Sequence, residues 1–373
     1  MSSLEEEITA VEDEIRDTSY NKATQLHIGR LKAKLAVLRL ERETRAKGKG
    51  GGPGYAVRKS GHATVGLVGY PSVGKSTLLN RVTAAESETA AYDFTTLTII
   101  PGMLRWGGAS IQILDMPGLV PGAARGRGRG REVLSVVRST DLVLFLIDPD
   151  HPNLNALVRE LEGAGVRINQ RPPRIVVQSS DRGGLTVSST VRLTHLAGGL
   201  ALPIAREFNL HNGSIVFRED ATADQLIDVL AGNRVYLPAL LAVNKAELLT
   251  ATDRARLSAE TRPFDPAFIS ARTGAGVDDL VDRIGRALRF IRIYVKPPGR
   301  PADMAEPVIL RRGDRVADLL RRLPPDLGSA FKAAQVWGRS ARFAGQTVGR
   351  EHVLDDEDVV TIVIARGAAR ALA

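Results

Sequence analysis

The sequence predicts an α/β fold. A mostly parallel sheet flanked by helices is preceded by a helical hairpin, interrupted by a small α+β subdomain and followed by a compact β-rich module. Three observations predict it. Short apolar runs such as Ala63 to Val68 and Asp141 to Ile147 read as strands buried on both faces. Helical patterns follow these runs, as a parallel sheet covered on both sides requires. Polar and glycine-bearing loops fall at the carboxyl ends of the runs, where open α/β sheets place ligand contacts.

The elements follow in order. Leu4, Ile8, Val11 and Ile15 recur at helical spacing over residues 3–17, and Leu31, Leu35, Leu38 and Leu40 do so in a second helix from Tyr20 to Lys47. Asp17-Thr18-Ser19 supplies turn and cap residues between them, so a hairpin is expected. Gly48 to Gly54 is a glycine-rich hinge, and the hairpin and its linker occupy 1–61. Residues 28–60 carry Arg30, Lys32, Lys34, Arg39, Arg42, Arg45, Lys47, Lys49, Arg58 and Lys59 against Glu41 and Glu43. Such a stretch suits contact with phosphate backbones, and a solvated helix face with a linker is the competing reading. No aromatic residue interleaves with these charges from Arg30 to Lys49, so base stacking is not expected there.

The sheet domain begins near His62. Its first strand, Ala63 to Val68, runs into Gly69-Tyr70-Pro71-Ser72-Val73-Gly74-Lys75-Ser76-Thr77, a complete G-x-x-x-x-G-K-S phosphate-binding loop, and Leu78 to Val82 continues as a helix. The glycines let backbone N–H groups turn inward around a phosphate at a helix N-terminus. Lys75 is placed to bridge β- and γ-phosphates, and the Ser76 hydroxyl to hold Mg²⁺. A P-loop nucleotide-binding domain is therefore expected at 62–291.

The base is read further on. Asn244-Lys245-Ala246-Glu247 follows the apolar run Leu237 to Val243. The Glu247 carboxylate can accept from N1–H and the 2-amino group of guanine, neither of which adenine offers, so GTP is expected over ATP. Asn-Lys-x-Asp is the commoner form, and Glu247 adds a methylene. Ser270-Ala271-Arg272, after Ala267 to Ile269, offers backbone amides to guanine O6. Between these motifs, the strand Ile111 to Leu114 ends in Asp115-Met116-Pro117-Gly118. There Asp115 would reach Mg²⁺ through water, and the Gly118 amide would sense the γ-phosphate. A switch threonine is expected after Phe94, and Thr95, Thr96 and Thr98 compete for the role.

Ras-like enzymes place a water-orienting glutamine directly after D-x-x-G, where this chain has Leu119. Slow intrinsic hydrolysis follows unless another group substitutes. Arg125 or Arg127, in an alternating Gly/Arg tract, a monovalent cation and a partner's side chain are candidates, while a solvated, partner-facing loop is the plainer reading of the tract.

The excess between the helix Asn153 to Gly163 and the guanine motif, about 166–236, is too long for a loop. It holds strand patterns at Arg174–Val177 and Ser214–Phe217 and a helix pattern at Asp224–Leu230, an inserted α+β subdomain. A helix at 277–290 closes the sheet domain. From Arg292 on, Val308–Leu310, a helix Val316–Leu323 and Val359–Ile364 suggest ubiquitin-like topology, with Arg366 to Ala373 frayed.

Composition narrows the setting. The chain has 373 residues, net charge +9 and no cysteine, so disulfides, thiolate metal sites and cysteine nucleophiles are excluded. The acidic start Met1-Ser2-Ser3-Leu4-Glu5-Glu6-Glu7 does not read as a signal peptide, and no apolar run approaches the roughly 20 residues needed to span a bilayer. A cytoplasmic protein without membrane contact is expected.

These motifs together, the loop Gly69–Ser76, Phe94–Thr98, and Asp115–Ala123 followed by Gly126–Arg131, resemble the developmentally regulated GTP-binding (DRG) proteins of the Obg-like group of translation-factor-related GTPases. Lys22–Thr24 with Leu31–Leu35 resembles that family's amino-terminal region. Phe217–Thr222 and Asp228–Arg234 resemble its insertion, and Val336–Gly338 with His352–Asp358 its terminal TGS module. The resemblance implies a P-loop GTPase domain with a β-grasp TGS domain at 292–366, Thr96 as the Mg²⁺-binding switch residue, and a hydrophobic residue at 119 as the group's habit. It also implies the ribosome or ribosomal RNA as partner, together with a dedicated stabilising protein. Related potassium-activated GTPases carry Asn where this chain has Ser72. A hydroxyl can also coordinate K⁺, so K⁺ stands beside Mg²⁺ as a candidate cofactor.

Overall fold

A computed structural model describes residues 3–19, 21, 23–48, 59–83, 100–117, 129–196 and 199–364. The chain forms two compact units, one of residues 1–54 with 165–236 and one of 55–164 with 237–373.

In the second unit, six strands form one sheet around Ala63–Gly69. Ala109–Asp115 and Leu142–Ile147 flank that strand in parallel, with Ala239–Val243 and then Ala267–Phe268 beyond the latter. Every residue of Ala63–Gly69 and Leu142–Ile147 is buried, as expected of strands covered on both faces. Ile100–Trp106 adds an antiparallel edge through a two-residue turn. Gly107 and Gly108 make that turn at φ 53° and 85°, a geometry that glycine adopts without strain. One face of the sheet buries Val65, Leu67, Ile111 and Leu144 with Leu78, Leu280 and Ile284. The carboxyl ends of four parallel strands lead to the phosphate loop, Asp115, Asp148 and Asn244, which places the candidate site.

Two expected elements differ at their ends. The run Leu237 to Val243 is broken at Pro238, which has no N–H but whose carbonyl accepts from Val143 N at 3.0 Å. The helix expected over 277–290 ends at Ala287, because Arg289 takes φ 56° and Phe290 opens a strand.

The same unit contains a five-stranded mixed sheet in the order 308–311, 290–295, 359–364, 331–337, 346–348. Phe290–Val295 and Val359–Ile364 pair in parallel and the other pairs are antiparallel, a β-grasp arrangement. Ile293, Leu310, Val316, Leu319, Val336 and Val360 fill its core. Its helix stops at Leu320 rather than Leu323, ahead of Pro324 and Pro325, and Pro325–Ser329 forms a short second helix. Arg311 Nη2 reaches Asp141 Oδ1 at 2.8 Å, and Pro307 lies against Gly108, so this module is seated on the large sheet's domain.

In the first unit, Leu4–Asp17 and Gln25–Gly48 make the hairpin. Ser3 and Glu6 form a capping box at the start of the first helix. The second helix starts at Gln25 rather than Tyr20. Asn21 Oδ1 accepts from the N–H groups of Ala23 and Thr24 and holds the chain in a turn up to that point. Leu31 and Leu38 pack with Ile8 and Val11. The helix's small residues Ala33 and Ala36 enter a second core with Ile204, Ile215, Phe217 and Leu226. The inserted segment places Gly213–Phe217 between Ile175–Ser179 and Leu185–Ser189, with helices Ala201–Glu207 and Ala223–Ala231.

This packing sets acids beside several cations of the second helix. Arg39 and Arg42 pair with Glu12 and Glu5 of the first helix at 2.8 and 3.5 Å. Arg30 and Lys32 pair with Glu207 and Asp224 of the insertion at 3.4 and 2.9 Å, and Arg45 with Glu41 at 2.6 Å. Charge counted along the chain misses acids that the fold brings alongside. The side chain of Lys47, and residues Lys49 and Arg58, lie outside the described residues, as does the remainder of the hinge through Gly54.

Candidate nucleotide site

The phosphate loop leaves the buried first strand at Gly69, where a Cβ would collide with the Leu146 carbonyl of the neighbouring strand. Ser72 and Gly74 take φ 64° and 94°, Val73 is wholly buried, and Pro71, Ser76 and Thr77 are exposed at the loop and helix start. Lys75 is only 8% exposed, and its Nζ donates to the carbonyls of Gly69 and Tyr70 at 3.2 and 2.8 Å. Burial holds its ammonium below the usual lysine range, an effect that the nearby Asp115 carboxylate opposes. Ser76 Oγ donates to Asp115 Oδ2 at 2.5 Å, so two oxygen donors from separate elements converge beside the loop. Met116 is buried behind Asp115, and Pro117 is half-buried.

Asn244 joins the two halves of the site. Its Nδ2 donates to the Val73 carbonyl and its Oδ1 accepts from the Ala271 amide, both at 2.9 Å. The Ala246 amide donates to the Ile269 carbonyl at 2.9 Å, binding the two base-side motifs together. Glu247 stands exposed on a short 3₁₀ turn, with Arg272 Nη2 at 3.6 Å from Oε1. Hydrogen bonds from its own backbone N–H and from the Ser270 side chain, then the Arg272 charge, hold Glu247 below the usual carboxylate range. The motifs that carry Gly69–Thr77, Asp115–Pro117 and Asn244–Arg272, far apart along the chain, therefore meet in one place. Phe94, Thr95, Thr96, Gly118, Leu119, Arg125 and Arg127 lie outside the described residues.

Sequence reading missed four residues here: Asp148, Asp150, His151 and Arg81. Lys245, at φ 58°, directs Nζ to Asp148 Oδ2 at 2.5 Å and to Asp150 Oδ2 at 3.1 Å. Burial would push the inaccessible Asp148 carboxyl up, but hydrogen bonds from Lys245 and from His151 outweigh it and hold the group below its usual range. His151 also stacks on Tyr70 of the phosphate loop, with centroids 5.9 Å apart. The available signal was an acid directly after the buried strand Leu142–Ile147. Arg81, on the helix after the loop, donates to the carbonyls of Ala271 and Arg272, and nothing local in the sequence marks it.

Comparison with known proteins agrees with this geometry. Residues 64–179 match the family described as 50S ribosome-binding GTPase, 182–290 the C-terminal region of that domain, and 291–364 the TGS domain. A GTP-binding protein of Methanocaldococcus jannaschii is 50% identical over 368 residues, covering 97% of this chain and 93% of its own. Ribosome-interacting GTPase 1 of Saccharomyces cerevisiae is 43% identical over 371 residues, covering 97% of this chain and all of its own. Developmentally-regulated GTP-binding protein 1 of Xenopus laevis is 43% identical over 368 residues, with 97% of this chain and 100% of its own covered. With identity of this order over 97% of its length, the chain belongs to the developmentally regulated GTP-binding protein family of GTPases.

Proposed function

We propose that this GTPase hydrolyses GTP slowly to GDP and phosphate and acts as a cytoplasmic switch on the ribosome or a translation-linked complex. The observation that carries the nucleotide reading is Asn244, whose buried amide fastens the phosphate loop to the base-side loop, so that one rigid site addresses both ends of a nucleotide. Lys75 would leave the Gly69 and Tyr70 carbonyls for the β- and γ-phosphates, and the inward amides of Ser72 to Thr77 would surround them. Glu247 would accept from the guanine N1–H and 2-amino groups, and an amide of Ser270–Arg272 would donate to O6.

The Ser76 hydroxyl and Asp115 carboxylate are hard oxygen donors already in contact, a set that fits Mg²⁺ with Asp115 acting through water and Thr96 completing it. Bound there, Mg²⁺ neutralises charge on the β- and γ-phosphates. Loss of the γ-phosphate would release Thr96 and Gly118 and change the surface offered to a partner. The ribosomal setting draws on the names of the matched family and of the yeast relative. Leu119, which cannot orient water, supports slow turnover. It also supports the alternative reading, a GTP-gated RNA- or protein-binding adaptor whose hydrolysis is incidental.

Nucleotide competition tests the site directly. A fluorescent GDP bound to the full chain should be displaced by GTP and GDP and not by equal ATP, and K75A should bind none of them measurably. Displacement by ATP at the GTP concentration would refute the base assignment.

A further inference from the structure

Arg81 has no role in the reading above, yet it is the side chain that grips the base-side loop. It sits on the helix Lys75–Thr83, about two turns beyond the phosphate-binding lysine. Its Nε donates to the Ala271 carbonyl at 3.3 Å and its Nη2 to the Arg272 carbonyl. Gly274, at φ 92°, lies under the guanidinium, where a Cβ would be 3.8 Å from Nη1. Arg81 makes no ion pair among the described residues, so its planar fork serves the two carbonyls.

The amides of this loop show what that grip does. Ser270 N–H donates to the Ala275 carbonyl at 2.9 Å, Ala271 N–H to Asn244 Oδ1 at 2.9 Å, and Thr273 N–H to Ser270 Oγ at 3.2 Å. Among the described residues, Arg272 N–H is the amide of this run without a partner. It belongs to the same planar trans peptide as the Ala271 carbonyl, and in such a unit N–H and C=O point in opposite directions. A guanidinium that holds the Ala271 carbonyl therefore turns the Arg272 N–H away from the helix.

We propose that Arg81 is a positioning residue for base recognition, aiming the Arg272 N–H at O6 of guanine from the helix that binds the phosphates. The proposal rests on the guanine reading above and deepens it. It divides the selection between two parts: Glu247 reads N1–H and the 2-amino group, while the Arg81-held peptide reads O6.

Three diphosphates separate the parts. IDP lacks the 2-amino group and keeps O6, whereas 6-thio-GDP keeps both groups that Glu247 reads and replaces O6 by sulfur, a poorer acceptor. Dissociation constants of GDP, IDP and 6-thio-GDP are measured for the full-length wild type, R81A and R81K. The wild type should favour GDP over 6-thio-GDP by roughly tenfold, the effect of one good hydrogen bond. R81A should reduce that preference to about twofold or less while its GDP-to-IDP ratio stays within about twofold of wild type. R81K keeps the charge without the fork and should lose most of the same preference, which serves if R81A does not fold. Parallel weakening of all three ligands, or an unchanged 6-thio-GDP preference, would overturn the proposal. A wild type that binds the three equally would bring down the guanine reading itself.

Discussion

Asn244 is 5% exposed, and among the described residues its side-chain amide bonds the Val73 carbonyl and the Ala271 amide that it joins. Replacing it by alanine leaves both partners buried and unpaired, at about 1–3 kcal/mol each. N244A is expected to lower the thermal midpoint and to weaken GDP binding by at least about tenfold, because phosphate and base contacts lose their common frame. Isothermal titration of the two proteins checks this, and equal affinities would show that the cross-link is idle. At this scale the sequence is informative wherever chemistry demands a residue type at a spacing. Lys75, Ser76, Asp115, Asn244 and Glu247 were all legible in that way. Asp148, His151 and Arg81 were not, because they act on other side chains or on carbonyls that only the fold brings near.

Among the elements, the second hairpin helix is wedged between the first helix and the insertion. Ala33, wholly inaccessible, meets the core of Ile204, Ile215 and Phe217. A33L forces extra volume into that core and should destabilise it by about 1–3 kcal/mol. Amide exchange should quicken at Ile204, Ile215 and Phe217 and stay unchanged in Val65–Val68, and no change at the former would deny the packing. The start of the first strand makes a second case. Ser110 N–H donates to His62 Nδ1 at 3.0 Å, which requires an unprotonated Nδ1. Burial, then the Arg322 charge, hold His62 below its ordinary value. The unfolded chain takes up a proton as pH falls through about 6.5 while the folded one resists, so stability is present above that pH and lost below it. H62N, which keeps an acceptor and does not titrate, should lose less thermal stability than wild type between pH 7.5 and 5.5, and equal losses would contradict the assignment. Periodicity found many of the helices and strands. It missed Ile100–Trp106, Leu185–Ser189, Ala201–Glu207, Ala251–Glu260 and Phe331–Trp337 among others, and misplaced the start of the second helix, where an asparagine-bonded turn overrides the helical pattern.

For the whole molecule, the sequence placed a parallel-sheet domain, an insertion and a terminal β-grasp module along the chain, but could not show which pieces pack together. The hairpin shares a compact unit with 165–236, and the β-grasp module with the sheet domain. That grouping arises from long-range contacts such as Lys32 with Asp224 and Arg311 with Asp141, which leave no local trace. Pairs such as Lys32 with Asp224 and Arg39 with Glu12 set acids beside cations of residues 28–45, while the chain as a whole remains at +9. With Leu119 directly after D-x-x-G, hydrolysis is expected to depend on a group or ion supplied from outside. The decisive measurement is turnover of GTP by the purified protein in Mg²⁺, with K⁺ or Na⁺ and with or without ribosomes. A conditional switch predicts slow turnover alone and at least about tenfold stimulation by ribosomes, K⁺ or both. Tight GTP binding with equally slow turnover under every condition would contradict it and leave the adaptor reading in its place.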